Sequence, residues 1–168
     1  MIASYQGKYF RVPRITKTVK IWRYDFVEGF LFQPNDGLPV YKKMVDITEL
    51  DQLFDVSFSV KWNGIQFGCL PDVRKQTAYL RTSDKEVAEK YNFQAEEEDR
   101  GQVILWYRVV DLGECTEFFF HKTVYDPAYF LEHNNDAKTA TVTAMSKEAW
   151  LEIHGKTVDE LSPWNFQQ

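Results

Sequence analysis

Residues 101–122, GQVILWYRVVDLGECTEFFFHK, constrain the fold most strongly. Two runs dense in Val, Ile, Phe, Tyr and Trp flank a short break, Asp111-Leu112-Gly113-Glu114. β-Branched and aromatic side chains suit a pleated, half-buried surface, and Asp-x-Gly-Glu suits a tight reversal, so the stretch predicts a β-hairpin. Side chains alternate along a strand. Val103, Leu105, Tyr107 and Val109 therefore point one way, and Ile104, Trp106, Arg108 and Val110 the other. Both faces are largely apolar, which places these strands mid-sheet with cover on each side.

The rest of the chain alternates short extended segments with turn signals. Lys8 to Val12 reads as a strand ended by Pro13, which cannot donate to a ladder, and residues 17–22 as a second. Phe26 to Phe32 is an aromatic run interrupted by Gly29. Pro34-Asn35-Asp36-Gly37 is a turn: Pro fixes φ, while Asn and Gly tolerate positive φ. Asp46 caps a helix over residues 47–54, with Leu50, Leu53 and Phe54 on one face. Asn63-Gly64 joins two alternating segments and is the strongest short-range hairpin signal in the sequence. Ser83 with Glu86 forms a capping box for a helix near residues 84–91, followed by an acidic loop, Glu96-Glu97-Glu98-Asp99. Asp126 and Pro127 open a short helix to about Glu132, and a polar loop runs through Asp136. Residues 139–144 alternate as a Thr-rich strand. Ser146 starts a helix that Gly155 stops, and Thr157 with Glu160 makes a further capping box. No repeat or linker divides the 168 residues. The expectation is a single α+β domain spanning 1–168, an antiparallel or mixed sheet with several short peripheral helices.

The search for chemistry is mostly negative. His121, His133 and His154 lie on separate elements without ligand spacing, and Cys-x-x-Cys and His-Glu-x-x-His are absent, so no metal is expected. There is no Gly-x-Ser-x-Gly elbow and no phosphate-cradling Gly-rich loop, so no cofactor is expected and the chain does not read as an enzyme. His121 reads as a hydrogen-bonded sheet residue, and His154 favours a helix C-terminus through its dipole. Cys69 and Cys115 read as two buried thiols. Arg108 shares a face with Ile104 and Trp106, where an ion needs a carboxylate or carbonyl partner; the alternative is an anion-binding arginine at a cleft. Aromatic residues interleaved with Lys17, Lys20 and Arg23 could stack on bases, but a formal charge of −5 opposes direct nucleic-acid binding. No run approaches the ~18 apolar residues of a membrane span, and the first six residues are no signal peptide, so no membrane contact and a cytoplasmic location are expected.

Four stretches carry a family resemblance: residues 5–10 (YQGKYF), residues 67–72 (FGCLPD), residues 106–113 (WYRVVDLG) and the tail around Trp164-Asn165-Phe166. Together they resemble the bacterial contact-dependent growth inhibition immunity proteins. The resemblance implies a cytoplasmic antidote that binds the toxic C-terminal domain of a neighbour's delivered protein, often a nuclease, and blocks its active site or substrate cleft. Such an antidote needs no catalytic residue. A nuclease needs a basic cleft, and an acidic inhibitor can fill it, with rim charges raising the encounter rate and buried aromatic anchors supplying affinity. Charge and loop placement point to Glu96, Glu97, Glu98 and Asp99 as the toxin-binding acids, with Asp126, Glu132 and Asp136 second. The competing class is a small ligand-binding or enzymatic domain built on Arg108 and His121, which requires one pocket converging on both. A third, an RNA-binding module, requires a joint positive patch of Lys8, Arg11, Arg14, Lys17, Lys20 and Arg23.

Overall fold

A computed structural model describes residues 1–126 and 138–162. In chain order the elements are β1 (Ile2–Tyr5), β2 (Lys8–Arg11), β3 (Thr18–Arg23), β4 (Leu31–Phe32), β5 (Tyr41–Asp46), β6 (Gln52–Trp62), β7 (Ile65–Asp72) and β8 (Thr77–Thr82). They continue as α1 (Lys85–Lys90), β9 (Gln94–Asp99), β10 (Gln102–Asp111), β11 (Glu117–Tyr125), β12 (Lys138–Met145) and α2 (Lys147–Thr157). No helix among the described residues is long and apolar enough to cross a membrane.

The chain groups into two compact units, one of Met1–Val56, Lys122–Thr141 and Glu152–Gln168, the other of Ser57–His121 and Val142–Leu151. In the first unit the strand order is β4-β5-β3-β2-β1-β6, with antiparallel pairing throughout. Alternation sends Val19 and Ile21 of β3 inward beside Phe10, Val45 and Leu53, all buried. Phe30 stacks on Phe10 at 5.1 Å between ring centroids. Arg23 is buried on the same side; its guanidinium donates to Asp25 and to the Tyr9 carbonyl. His154 of α2 is buried as well. Burial lowers its pKa below 6.5, and the Asp159 carboxylate opposes that shift only in part.

In the second unit the order is β6-β7-β8-β10-β9, and β11 pairs with β6 and β12. Asn63 (φ 49°) and Gly64 (φ 79°) close the β6–β7 hairpin in register Trp62↔Ile65, as Asn-Gly predicts. One face of this sheet is covered. Phe58, Val60, Trp62, Phe67 and Leu80 are buried there. Tyr91 and Phe93, just past α1, pack on Trp62 and Phe67. Trp150 of α2 is fully buried, edge-on to Phe58 and Phe118, and its indole N–H donates to the Phe119 carbonyl at 3.0 Å.

The architecture is a largely antiparallel β fold, not the expected α+β arrangement. Two segments explain the difference. Residues 47–54 carry apolar side chains at helical spacing, but only Ile47–Glu49 forms a 3-10 turn; Asp46 caps it, and Leu50 turns extended at ψ 134°. Residues 52–54 then pair with β1 as Ser4↔Gln52, Ala3↔Leu53 and Ile2↔Phe54. Pairing with a distant strand overrides a local period. The acidic run at 96–99 is likewise strand β9, not a loop, because its main chain bonds to β10 and its side chains can stay in solvent.

The expected hairpin at 101–122 does not form. Asp111 accepts from the Gly113 N–H, and the Glu114 carboxylate accepts from the Asp111 N–H, capping a 3-10 turn at Leu112–Glu114. Leu112 is buried, its N–H donating to the Gln76 carbonyl, and the Thr116 N–H donates to Lys61. These bonds send β11 to β6 and β12, while β10 pairs with β8 and β9. Nor is β10 covered on both faces: Ile104 and Val109 are 45% and 53% exposed. Smaller differences concern caps. Asp84, not Ser83, caps α1; Gly155 lies within α2; and the Thr157 hydroxyl donates to the Ile153 carbonyl instead of capping the next turn. Ser146 does start α2, accepting from the Ala149 N–H. The helix expected from Asp126 to Glu132, the loop at Asp136 and the stretch around Trp164 fall outside the described residues, apart from Asp126 itself.

Trp150→Ala removes a large side chain and a hydrogen bond from a site that cannot collapse easily. It should lower unfolding stability by about 3–5 kcal/mol, read as a shift in urea midpoint, whereas Val142→Ala at an exposed position should cost under about 0.5 kcal/mol. For His154 the folded pKa lies below the unfolded one. Its contribution is therefore complete above pH 6.5 and lost as pH falls from there through the folded pKa. The wild type should lose more stability between pH 7 and about 5 than His154→Gln does, measured by urea titration at each pH.

Candidate functional site

Four of the acids singled out in the sequence, Glu96, Glu97, Glu98 and Asp99, lie on β9, at the end of the strand order among the described residues. The ladder to β10 runs Gln102↔Asp99, Val103↔Glu98 and Leu105↔Glu97, with irregularities between Val103 and Trp106. Glu97, Glu98 and Asp99 are exposed, whereas Glu96 is half-buried against Arg81. The Arg81 Nε–H lies 3.0 Å from each Glu96 carboxylate oxygen, and a further guanidinium N–H also bonds Oε1. This fork holds the Arg81 pKa above its ordinary value, chiefly through the hydrogen bond. Glu96 is thus spoken for by a structural ion pair, and the outward charge of β9 rests on the next three residues. Asp126 is exposed at the end of β11, and Glu132 and Asp136 lie outside the described residues.

Register decides which residues share a face, because directly paired residues point the same way. Ser59, Gly68, Arg81, Tyr107 and Gln94 line up across β6, β7, β8, β10 and β9. Phe58, Cys69, Leu80 and Arg108 line up one residue away, on the covered face. On that face the Arg108 guanidinium donates to the Tyr91 carbonyl and sits 5.1 Å from the Trp62 ring. It is a partnered arginine under α1. His121 is on the opposite, open face, where its Nε2 shares a 2.7 Å hydrogen bond with the Ser59 hydroxyl; Gln66 donates to the same oxygen at 2.9 Å. An open depression of about 420 Å³ lies over Ser59, Gln66, Gly68, Leu70, Arg81 and His121, and Arg108 takes no part in it. The structure therefore does not bring Arg108 and His121 together.

The open face carries residues the sequence reading passed over. Tyr79 and Tyr107 stack at 4.7 Å with 13° between ring planes. Leu70 and Val109, paired with Tyr79 on either side, are 55% and 53% exposed. Desolvation raises the Tyr79 hydroxyl pKa first, and the Glu96 carboxylate adds to it. The signal was present in the alternation of Tyr79 and Arg81 along β8. What hid it was the expectation that β10 is covered on both faces.

The matching family model spans residues 1–110, from β1 into β10, and carries the description Uncharacterised conserved protein UCP033725. The chain belongs to that family. The matched span includes β9, the Tyr79–Tyr107 stack and the Ser59–Gln66 hydrogen bond, and excludes His121. No curated protein and no solved structure matches the chain.

Two of the basic residues named for an RNA-binding patch, Arg11 and Arg23, are taken up by structural bonds. Arg23 is buried with Asp25, and the Arg11 Nε–H donates to the Leu161 carbonyl at 2.5 Å. His154 bonds Asp159, and no group of three or more His, Cys, Asp or Glu suited to a metal occurs among the described residues. Of the thiols, Cys69 is buried as expected, but Cys115 is only half-buried, at the end of the 3-10 turn. Burial pushes Cys69 up to about 12; burial, then Glu114 and Asp111, push Cys115 up to about 11. The thiolate is the nucleophile, and at pH 8 these values leave about one thiolate in 10⁴ and one in 10³. Both thiols should therefore alkylate with iodoacetamide far more slowly than free cysteine at pH 8, Cys115 before Cys69, as followed by intact-mass spectrometry.

Proposed function

We propose that the chain is a cytoplasmic immunity protein of a contact-dependent growth inhibition system, binding and neutralising the C-terminal toxin domain of its cognate partner. The observation that supports this reading most is β9. A strand fixes main-chain positions in a way that a loop does not, so Glu97, Glu98 and Asp99 form a preorganised anionic edge. A nuclease domain needs a positive cleft for its phosphodiester, and such an edge complements it without turnover. The adjoining open face supplies what charge alone cannot. Tyr79, Tyr107, Leu70 and Val109 are large, partly desolvated and held by the sheet, the class of residue that dominates binding energy at interfaces. In this division of labour the carboxylates steer association, and the aromatic pair slows dissociation.

Co-expression with the C-terminal toxin domain of a cognate growth-inhibition system tests the reading. Cells should survive only with the intact chain, and continued killing with full-length soluble antidote present rejects it. In purified form, replacing Glu97, Glu98 and Asp99 together by Ser should slow association about tenfold at low salt and flatten its salt dependence. Tyr107→Ala should instead raise the dissociation rate. An unchanged on-rate in the triple variant discards β9 as the steering element.

A further inference from the structure

A separate feature belongs to the outer face of the first unit. On β3, Val19 and Ile21 point into the core, so Lys20, Trp22 and Tyr24 share the other side of the sheet. Lys42 of β5 is paired directly with Trp22, so both lysines lie on the same side of the sheet as the indole. Tyr24 stands edge-on to Trp22 at 5.1 Å and 88°, which fixes the indole plane. Over them lies a cavity of about 270 Å³ whose lining includes these four residues, Gln33 and Asn35, but no carboxylate.

Residues 33–40, which join β4 to β5 and contribute to the lining, form a hydrogen-bonded turn. The Gln33 N–H donates to the Val40 carbonyl at 2.8 Å, and Asn35 and Leu38 exchange main-chain bonds at 3.0 and 2.9 Å. Asp36 (φ 48°) and Gly37 (φ 79°) close the turn, as Asn-Asp-Gly predicts. Neither Lys20 nor Lys42 forms an ion pair among the described residues, whereas Lys61, Lys75, Lys85 and Lys156 do. In a chain of net charge −5, a site with two unpaired cations and no acid is selective for an anion. The aromatic surface beside it favours a planar ring, and the Gln33 and Asn35 amides offer a donor and an acceptor each for the ring edge. The volume is near the lower end of ordinary ligand pockets, about 300 Å³ upward, which favours a small molecule over a polymer.

We propose that this cavity binds a mononucleotide, with its base against Trp22 and its phosphate between Lys20 and Lys42. The interaction is independent of the toxin-binding reading and stands or falls by itself. Isothermal titration of the full chain at low salt, with adenosine 5′-monophosphate, adenosine and inorganic phosphate in separate experiments, tests it. The nucleotide should bind at least about tenfold more tightly than either half, since ring stacking and charge then act together. Lys42→Gln should weaken nucleotide binding about tenfold and reduce its salt dependence, and Trp22→Ala should weaken it by a similar factor. Lys42 is only half-buried and the Gln variant is expected to fold, which circular dichroism checks; Trp22→Phe, retaining a ring, should bind better than Trp22→Ala. Absence of nucleotide binding, phosphate binding as tight as nucleotide binding, or an unchanged affinity in folded Lys42→Gln would each overturn the proposal.

Discussion

Main-chain hydrogen bonding between antiparallel neighbours is the interaction on which the rest of this protein depends. A ladder satisfies the N–H and C=O groups of a segment whatever its side chains are, which frees side-chain composition to vary with position. Buried strands can then be apolar on the covered face, as β6 is at Phe58 and Val60, and polar on the other, as at Ser57 and Ser59. The same freedom lets Gln-Ala-Glu-Glu-Glu-Asp exist as a strand at all. Like charges side by side repel and β-propensity is poor, yet β10 supplies the bonds and solvent keeps the carboxylates hydrated. An acidic, irregular edge also discourages unspecific pairing with other chains, so its sequence serves solubility even before any partner is considered.

Legibility in the sequence follows the range of the interaction that decides each element. Asn63-Gly64 was readable because two residues fix their own turn by φ preference, and so were Asp36-Gly37 and the start of α2 at Ser146. Residues 47–54 were not, because their helical spacing of Leu50, Leu53 and Phe54 is also compatible with β6, and the choice is made by β1, some fifty residues earlier. The 101–122 stretch was read correctly as two strands and wrongly as partners. Nothing local distinguishes a reversal that pairs its flanks from a capped 3-10 turn that sends them to different neighbours; Gln76 and Lys61, which receive the turn's N–H groups, are distant in sequence.

The candidate sites divide in the same way. Arg108 was expected to need a carbonyl or carboxylate partner, and the Tyr91 carbonyl is one; that followed from the cost of an unpaired ion on an apolar face. Glu96 could not be separated from Glu97, Glu98 and Asp99 by composition, because Arg81, its partner, becomes adjacent only through the order β8-β10-β9. The Tyr79–Tyr107 stack has the same origin, since the two rings belong to strands joined by α1 and β9 rather than by a turn.

Net charge is the remaining place where a whole-chain quantity misleads. A total of −5 argues against binding a polyphosphate over a large surface, where many cations must act together. It says little about a cavity a few ångströms across. At physiological ionic strength fields between exposed charges fade over about 8 Å, so a carboxylate further away than that barely alters the potential at Lys20 and Lys42. What governs the local potential is the lining itself, two ammonium groups and neutral side chains. By the same screening, the potential at β9 is set by Glu97, Glu98 and Asp99 and not by the sum over the chain. An anionic edge and a cationic cavity on one acidic protein are therefore compatible, because each is set by its nearest neighbours.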